Sequence, residues 1–351
     1  MNDEKPFKIN STTVERDSSV IIDLPVGRLY THAPMTMPVQ IIRGKKDGPR
    51  LFISAAIHGD EINGVEIIRR VLKSPALKRL SGTVVAVPIV NLHGFINQSR
   101  YLPDRRDLNR SFPGTDKGSL AGRLAHLLME EIVKQCTHGI DLHTGAIHRS
   151  NLPQVRANMD DPETERLAHA FNVPVIISAT LRDGSLRQSA ADLGMPMLLY
   201  EAGEALRFDE VGIRAGVKGI INVMRELKML PAARQKPNKG ADSVVARSSS
   251  WVRAPESGIL RAMAPLGAHV KKNQLLGIVA DPFGEQELQL LSPYSGIVIG
   301  RTNLPLVNEG DALFHLARFE DVGEVASNVE GFHEEHLLAI ADTPATEQPI
   351  T

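Results

Sequence analysis

The sequence predicts an α/β fold: a mostly parallel or mixed sheet with helices on both faces, followed by a small C-terminal all-β domain of barrel-sandwich type. Three observations predict it. Apolar runs of strand length alternate with segments of helical period from Met37 to about Met229, the pattern of a sheet covered on both sides. The stretch 231–250 then breaks into linker-like composition. Beyond it, short strand-like pieces punctuated by Gly and Pro take over.

Each element has a local reason. The continuous apolar run Leu51–Ile57, entered through the turn signal Lys46-Asp47-Gly48, suits a strand buried on both faces. Gly64–Lys73 places Val65, Ile68 and Leu72 on one helical stripe, and Ser74-Pro75 stops it because the residue before Pro is pushed out of helical dihedrals. Thr83–Val90 is a second strand. Ser119 is suited to cap a helix whose apolar positions are Leu120, Leu124, Leu127, Leu128 and Val133. Gly139–His143 reads as a short strand, and Asp161-Pro162 opens another helix, where the missing Pro N–H costs little. Val173–Ser178 and Met195–Tyr200 are strands separated by a short helix, and Phe208–Leu230 carries the last helical pattern of this region.

In the C-terminal part, APESGIL at 254–260 and SPYSGIV at 292–298 each place Pro and Gly at a turn before an apolar strand, so residues 251–318 have an internal two-fold similarity. The expected division is a main unit at 1–230 with its motif-bearing core at 37–230, a linker at 231–250, a small β domain at 251–318 and a tail at 319–351. Carrier domains of barrel-sandwich type need a Lys at a hairpin tip, and 281–292 (DPFGEQELQLLS) has none. A swinging-arm role is therefore not expected; a lid, gating or oligomerisation role fits better.

Composition narrows the function. Hydrophobic residues make up 42% and charged residues 23% of the 351, ordinary for a globular chain. A net charge of −1 gives no electrostatic reason to expect nucleic acid or an anionic membrane as partner. The N-terminus lacks an apolar signal region, and no apolar run reaches the ~18–20 residues that span a bilayer. A cytoplasmic protein is expected, with homo-oligomer formation left open. The single cysteine, Cys136, has no partner for an intrachain disulfide and reads as a buried small apolar residue.

The chemistry lies where strands end, since sites in open α/β sheets gather beyond the carboxyl ends of the strands. The strand ending at Ile57 runs into His58-Gly59-Asp60-Glu61; another ends in Asp141-Leu142-His143-Thr144-Gly145; a third ends in Tyr200-Glu201-Ala202-Gly203-Glu204. Two His and one Glu form a ligand set for catalytic zinc that leaves a fourth position for water. His58 and Glu61 fall on one side of a turn, Gly59 lets backbone approach the ion, and His143 is the best-placed third ligand. Such an ion acidifies water and polarises a carbonyl while a carboxylate, here Glu201, takes the proton. Glu204 is the rival base. A second cluster, RYLPDRRDLNRSFPG at 100–114, puts four arginines in eleven residues; it is either a surface network balanced by Asp104 and Asp107 or an anion-recognition loop. Asp60 and Asp141 are candidates for orienting the ligands. His93 and His148 read as structural, and Met195 and Met197 as core. HEEH at 333–336 lacks the i, i+4 spacing of a zinc helix and reads as a solvated tail.

Taken together, HGDE at 58–61, NLHGFINQSRYLPDRRDLNRSFPG at 91–114, DLHTG at 141–145 and YEAG at 200–203 resemble the succinylglutamate desuccinylase/aspartoacylase family, with its zinc carboxypeptidase-like fold. The resemblance implies one zinc ion per chain held by His58, Glu61 and His143, with Glu201 as general base. It implies that Asn109 and Arg110 bind a substrate carboxylate and that Arg100 faces the scissile carbonyl. The chain is two residues longer than the aspartoacylase pattern between Arg100 and Asn109, so Arg105 and Arg106 stay open for that last role. The expected activity is hydrolysis of the amide bond of a small N-acyl amino acid; a metallocarboxypeptidase acting on peptides and a non-catalytic metal-containing binding module are the alternatives.

Overall fold

The structure, a computed structural model, describes residues 7–233 and 243–319, with residues 325, 328–332 and 334 beyond them. Strand Lys46–Ala55 runs through the middle of a large sheet because its inner half is apolar on both faces. Leu51, Ile53 and Ala55 pack with Ile67 and Val71 of helix Asn63–Leu72, Phe171 of helix Pro162–Phe171 and Ile213 of helix Glu210–Glu226. Phe52 and, just past the strand, Ile57 pack on the opposite side with Leu124 and Leu128 of helix Leu120–Glu131 and Leu186 of helix Leu186–Asp192. The sheet is thus covered by helices on both faces, as predicted. The helix starts are set locally: Ser119 accepts from the Gly122 N–H, Asp161 from Thr164 and Asp209 from Gly212.

From one edge the main sheet runs Ser18–Arg28, Pro34–Arg43, Ser81–Val87, Lys46–Ala55, His138–Gly145, Met197–Glu204, Arg149–Ala157, Gly296–Thr302, Ala312–Arg318 and Ser248–Arg253. Its centre is parallel, from Ser81–Val87 through Met197–Glu204, and the flanking pairs are antiparallel. The sheet is mixed because two segments that the sequence did not mark as strands join it. One is the hairpin Ser18–Arg43, whose first arm alternates polar and apolar residues and carries Pro25 and Gly27. The other is Arg149–Ala157, where Asn151, Gln154 and Arg156 interrupt the apolar pattern. This strand forks: its first residues pair with Gly300–Thr302, its last with the parallel strand Val175–Ser178.

The C-terminal strands divide between two sheets. Gly258–Ala262, Leu275–Ala280, Glu287–Leu291 and Leu306–Val307 form a separate antiparallel sheet, whereas Ser248–Arg253, Gly296–Thr302 and Ala312–Arg318 extend the main one. The 281–286 turn is held by Asp281, which accepts from the Phe283 and Gln286 N–H groups. Met195 and Met197 are buried, and Cys136 packs against the core with its thiol pushed up to about 12 by burial. No helix among the described residues is long and apolar enough to cross a membrane. His333, His336, residues 234–242 of the expected linker and most of the expected tail lie outside the described residues.

Candidate active site

The three central parallel strands carry their polar residues to one rim. Side chains alternate across a strand, so Ile140 and Leu142 face the first helix layer while Asp141 and His143 face the second. In register, Ser54 lies opposite Asp141, and Glu201 opposite His143. The chain leaves strand Lys46–Ala55 through Ala56 at φ 51°, a strained conformation for a residue with a Cβ, and then enters His58-Gly59-Asp60-Glu61. Gly59 is needed there for packing: a Cβ on it would lie 2.0 Å from the Gly94 carbonyl carbon. The close approach packs Gly59 against the turn that Asn91 opens.

His58, Glu61 and His143 converge, each buried, with one donor atom apiece lying within 4.8 Å of the others. His58 Nδ1 lies 2.7 Å from Glu61 Oε1, and His143 Nδ1 lies 2.7 Å from Glu61 Oε2. The other nitrogen of each ring is held by a carboxylate: His58 Nε2 by Asp107 at 3.1 Å and His143 Nε2 by Asp141 at 2.7 Å. Ser54 donates to the second Asp141 oxygen at 2.8 Å. The Thr144 N–H donates to Glu61 as well. A nitrogen–carboxylate–nitrogen donor set with carboxylates behind both imidazoles is the arrangement that metal-binding histidines adopt. These residues therefore fit a divalent ion.

The charges reinforce one another. Burial raises the carboxyl pKa of Glu61, but the His58 and His143 charges and hydrogen bonds outweigh it and hold Glu61 far below its usual range. Burial lowers both imidazoles, yet Glu61 with Asp107 lifts His58, and Asp141 with Glu61 lifts His143 well above its usual value.

Arg100 reaches the same group. The Asn91 side chain accepts from the Gly94 N–H and donates to the Arg100 carbonyl, closing the loop that carries it. Arg100 donates to Glu61 at 3.1 Å and to Asp107 at 3.2 Å. Arg105 is exposed, Arg106 pairs with Asp104 at 3.9 Å, and neither lines the cavity. Asn109 is buried and accepts from the Leu186 N–H, while Arg110 projects beside it with no carboxylate partner among the described residues. Glu201 accepts from Asn151 at 2.6 Å and Arg156 at 3.0 Å. Glu204 does not line the cavity; it accepts from the His148 N–H and the Asn303 side chain.

His58, Glu61, Arg100, Asn109, Arg110, His143 and Glu201 line one cavity of about 470 Å³. Asp141 orients His143 as expected, whereas Asp60 touches neither imidazole. Asp107 holds His58 instead, a role that its Asp-x-Asn turn, with the Asn109 N–H on its side chain at 2.8 Å, could have signalled. Arg149, Arg156, Arg182, Arg187, Trp251 and His315, which no local pattern marks, also line the cavity.

The profile of the succinylglutamate desuccinylase/aspartoacylase catalytic domain matches residues 47–227. The chain belongs to this family. Among its relatives, the N-alpha-acetyl-L-2,4-diaminobutyric acid deacetylase of Halomonas elongata is 24% identical over 292 residues, which is 80% of this chain and 85% of that protein. A product-bound ectoine utilization protein of Ruegeria pomeroyi superposes with a TM-score of 0.78 at 22% identity, covering 90% of this chain and 99% of its own. A succinylglutamate desuccinylase/aspartoacylase of Rhodobacter sphaeroides gives a TM-score of 0.77 at 24% identity over 87% and 97% of the two chains. Every site residue proposed from sequence falls inside the matched family span; Trp251 and His315 fall outside it.

Proposed function

We propose that this family member is a zinc-dependent deacylase that hydrolyses the amide bond of a small N-acyl amino acid. The observation that carries the proposal is the His58–Glu61–His143 group, with both Nδ1 atoms turned to Glu61 and both Nε2 atoms held by Asp107 and Asp141. The three would hold the ion, which when bound supplies a Lewis acid for a carbonyl oxygen and lowers the pKa of water. A deacetylase among the relatives favours a small substrate over a peptide.

The remaining roles follow from placement. Arg110 grips the substrate carboxylate with Asn109 beside it. Arg100, fixed by Glu61 and Asp107, directs positive charge to the oxygen of the scissile carbonyl as it becomes an oxyanion. Glu201 takes a proton from the attacking water and returns it to the amine nitrogen as the C–N bond breaks, leaving a carboxylic acid and an amine. Asn151 and Arg156 fix its carboxylate in one orientation.

The test is metal content measured beside hydrolysis of N-acetyl and N-succinyl amino acids. We expect about one zinc per chain and chelator-sensitive turnover, with Glu201→Gln lowering kcat by roughly 10²–10⁴-fold while metal is retained. Turnover that survives both the chelator and Glu201→Gln overturns the assignment.

A further inference from the structure

A second concavity lies at the opposite end of the sheet. It is a groove of about 550 Å³ at the amino-terminal ends of strands Lys46–Ala55 and Ser81–Val87, away from the rim that carries the metal-binding group. Four stretches of chain meet there, and backbone hydrogen bonds knit them together. The Asp17 N–H donates to the Gly44 carbonyl at 3.3 Å, Gly44 to Gly82 at 2.9 Å and Ser81 to Met229 at 2.8 Å. The seam is tight: a Cβ on Gly44 would lie 2.0 Å from the Leu80 carbonyl oxygen. Leu77, Leu80, Met229 and Leu230 are buried and form the floor. The groove is therefore preformed.

Its rim is charged in one sense. Arg43, Lys45, Lys46, Lys78, Arg79 and Lys228 line it against one carboxylate, Asp17, in a chain whose net charge is −1. Lys45 pairs with Asp17 at 3.4 Å and Arg43 with Asp47 at 3.3 Å. The other four are exposed and have no carboxylate partner among the described residues. Lys228 follows helix Glu210–Glu226 at φ 58°, where the helix dipole favours a cation; that accounts for one of the six. Like charges crowded over an apolar floor repel one another until an anion sits between them.

The kind of cation indicates the kind of anion. The wall of the catalytic cavity beyond Glu201 carries Arg149, Arg156, Arg182 and Arg187, and no lysine lines that cavity. The groove instead presents four lysines among its six cations, compact ammonium groups that surround a phosphoryl group as point charges. They come from three stretches of chain and converge on one groove, which suits a small ligand better than the long backbone of a nucleic acid. We propose that this groove is a binding site for a small polyphosphate anion, separate from the catalytic cavity and independent of the deacylase reading.

Calorimetric titration of the full chain with inorganic tripolyphosphate, inorganic phosphate, ATP and citrate tests the proposal. We expect one tripolyphosphate per chain, bound about tenfold or more tighter than phosphate or citrate and weakened as salt is raised. Lys78→Gln combined with Arg79→Gln should raise its Kd by about tenfold, and Lys228→Gln alone by about threefold or more. All three positions are exposed, and an unchanged urea midpoint checks that each variant is folded. Chelation of zinc by tripolyphosphate is common to parent and variants and drops out of that comparison. ATP binding as tightly as tripolyphosphate or tighter marks a nucleotide as the source of the phosphates; weaker binding of ATP marks an inorganic chain. No binding at millimolar tripolyphosphate, citrate bound equally well, a duplex oligonucleotide bound more tightly, or an affinity unchanged in either variant overturns the proposal. The last outcome would move the anion to the arginines of the catalytic cavity.

Discussion

The His58–Glu61–His143 group and the arginine wall beyond Glu201 line one cavity on one sheet face, yet they are balanced in opposite ways. In the first, both oxygens of Glu61 and both nitrogens of each imidazole have partners within 3.1 Å. In the second, positive charge outnumbers negative and a buried guanidinium nitrogen has no acceptor among the described residues. A closed polar network fixes geometry, while an unmatched buried donor carries a desolvation cost. The difference separates a polar network that is closed on itself from a wall with an excess of positive charge.

Breaking the closed network should have the largest effect. His143→Ala removes a metal donor and leaves Asp141 and Glu61 buried without it; kcat/KM should fall by about 10³-fold or more, with zinc lost on dialysis. Asp141→Asn keeps all three donors and disturbs only the orientation of His143, so zinc affinity should drop about 10–100-fold in a competition with a chromogenic chelator. If affinity is unchanged, the carboxylates behind the imidazoles are not part of what makes this end a metal site.

The wall is probed through His315. Burial, with Arg156 and Arg182 beside it, pushes this imidazole down to about 3. It stays neutral in the folded protein while the unfolded chain protonates near 6.5, so stability is lost as pH falls through the window from about 6.5 to 3. At pH 4.5 the loss from this one group is on the order of 2 kcal/mol. Urea midpoints at pH 7 and 4.5 should therefore differ less in His315→Gln than in the parent chain; an equal difference would show that His315 is not held neutral in the folded protein. The smallest effect is expected for Ser54→Ala, which deletes one hydrogen bond to Asp141. It should cost about 1 kcal/mol in stability, and urea unfolding can measure it.

The same contrast explains what could be read from the residues in order. His58 and Glu61 are three apart, and His143 and Glu201 each close an apolar run, so short-range spacing and strand periodicity suffice to find them. The fold class was legible for the same reason. The wall has no such spacing. Arg156 sits in a strand masked by its own polar residues, Arg187 in the first turn of a short helix, and Trp251 and His315 nearly a hundred residues or more beyond Arg156. They meet only because Arg149–Ala157 pairs with three different strands, a fact of topology that no local pattern carries. The hairpin Ser18–Arg43 escaped detection because Pro and Gly interrupt its alternation.

That forked strand has a practical consequence for anyone shortening the chain. Cutting after position 243 would remove Gly296–Thr302 and strip Arg149–Asn151 of its neighbour, leaving unpaired amide and carbonyl groups beside the mouth of the cavity. A raw edge of this kind invites pairing with another molecule. A trimmed variant that retained His58, Glu61 and His143 should therefore be troubled first by self-association, seen as a rising scattering signal during purification, before any deficit in chemistry could be judged.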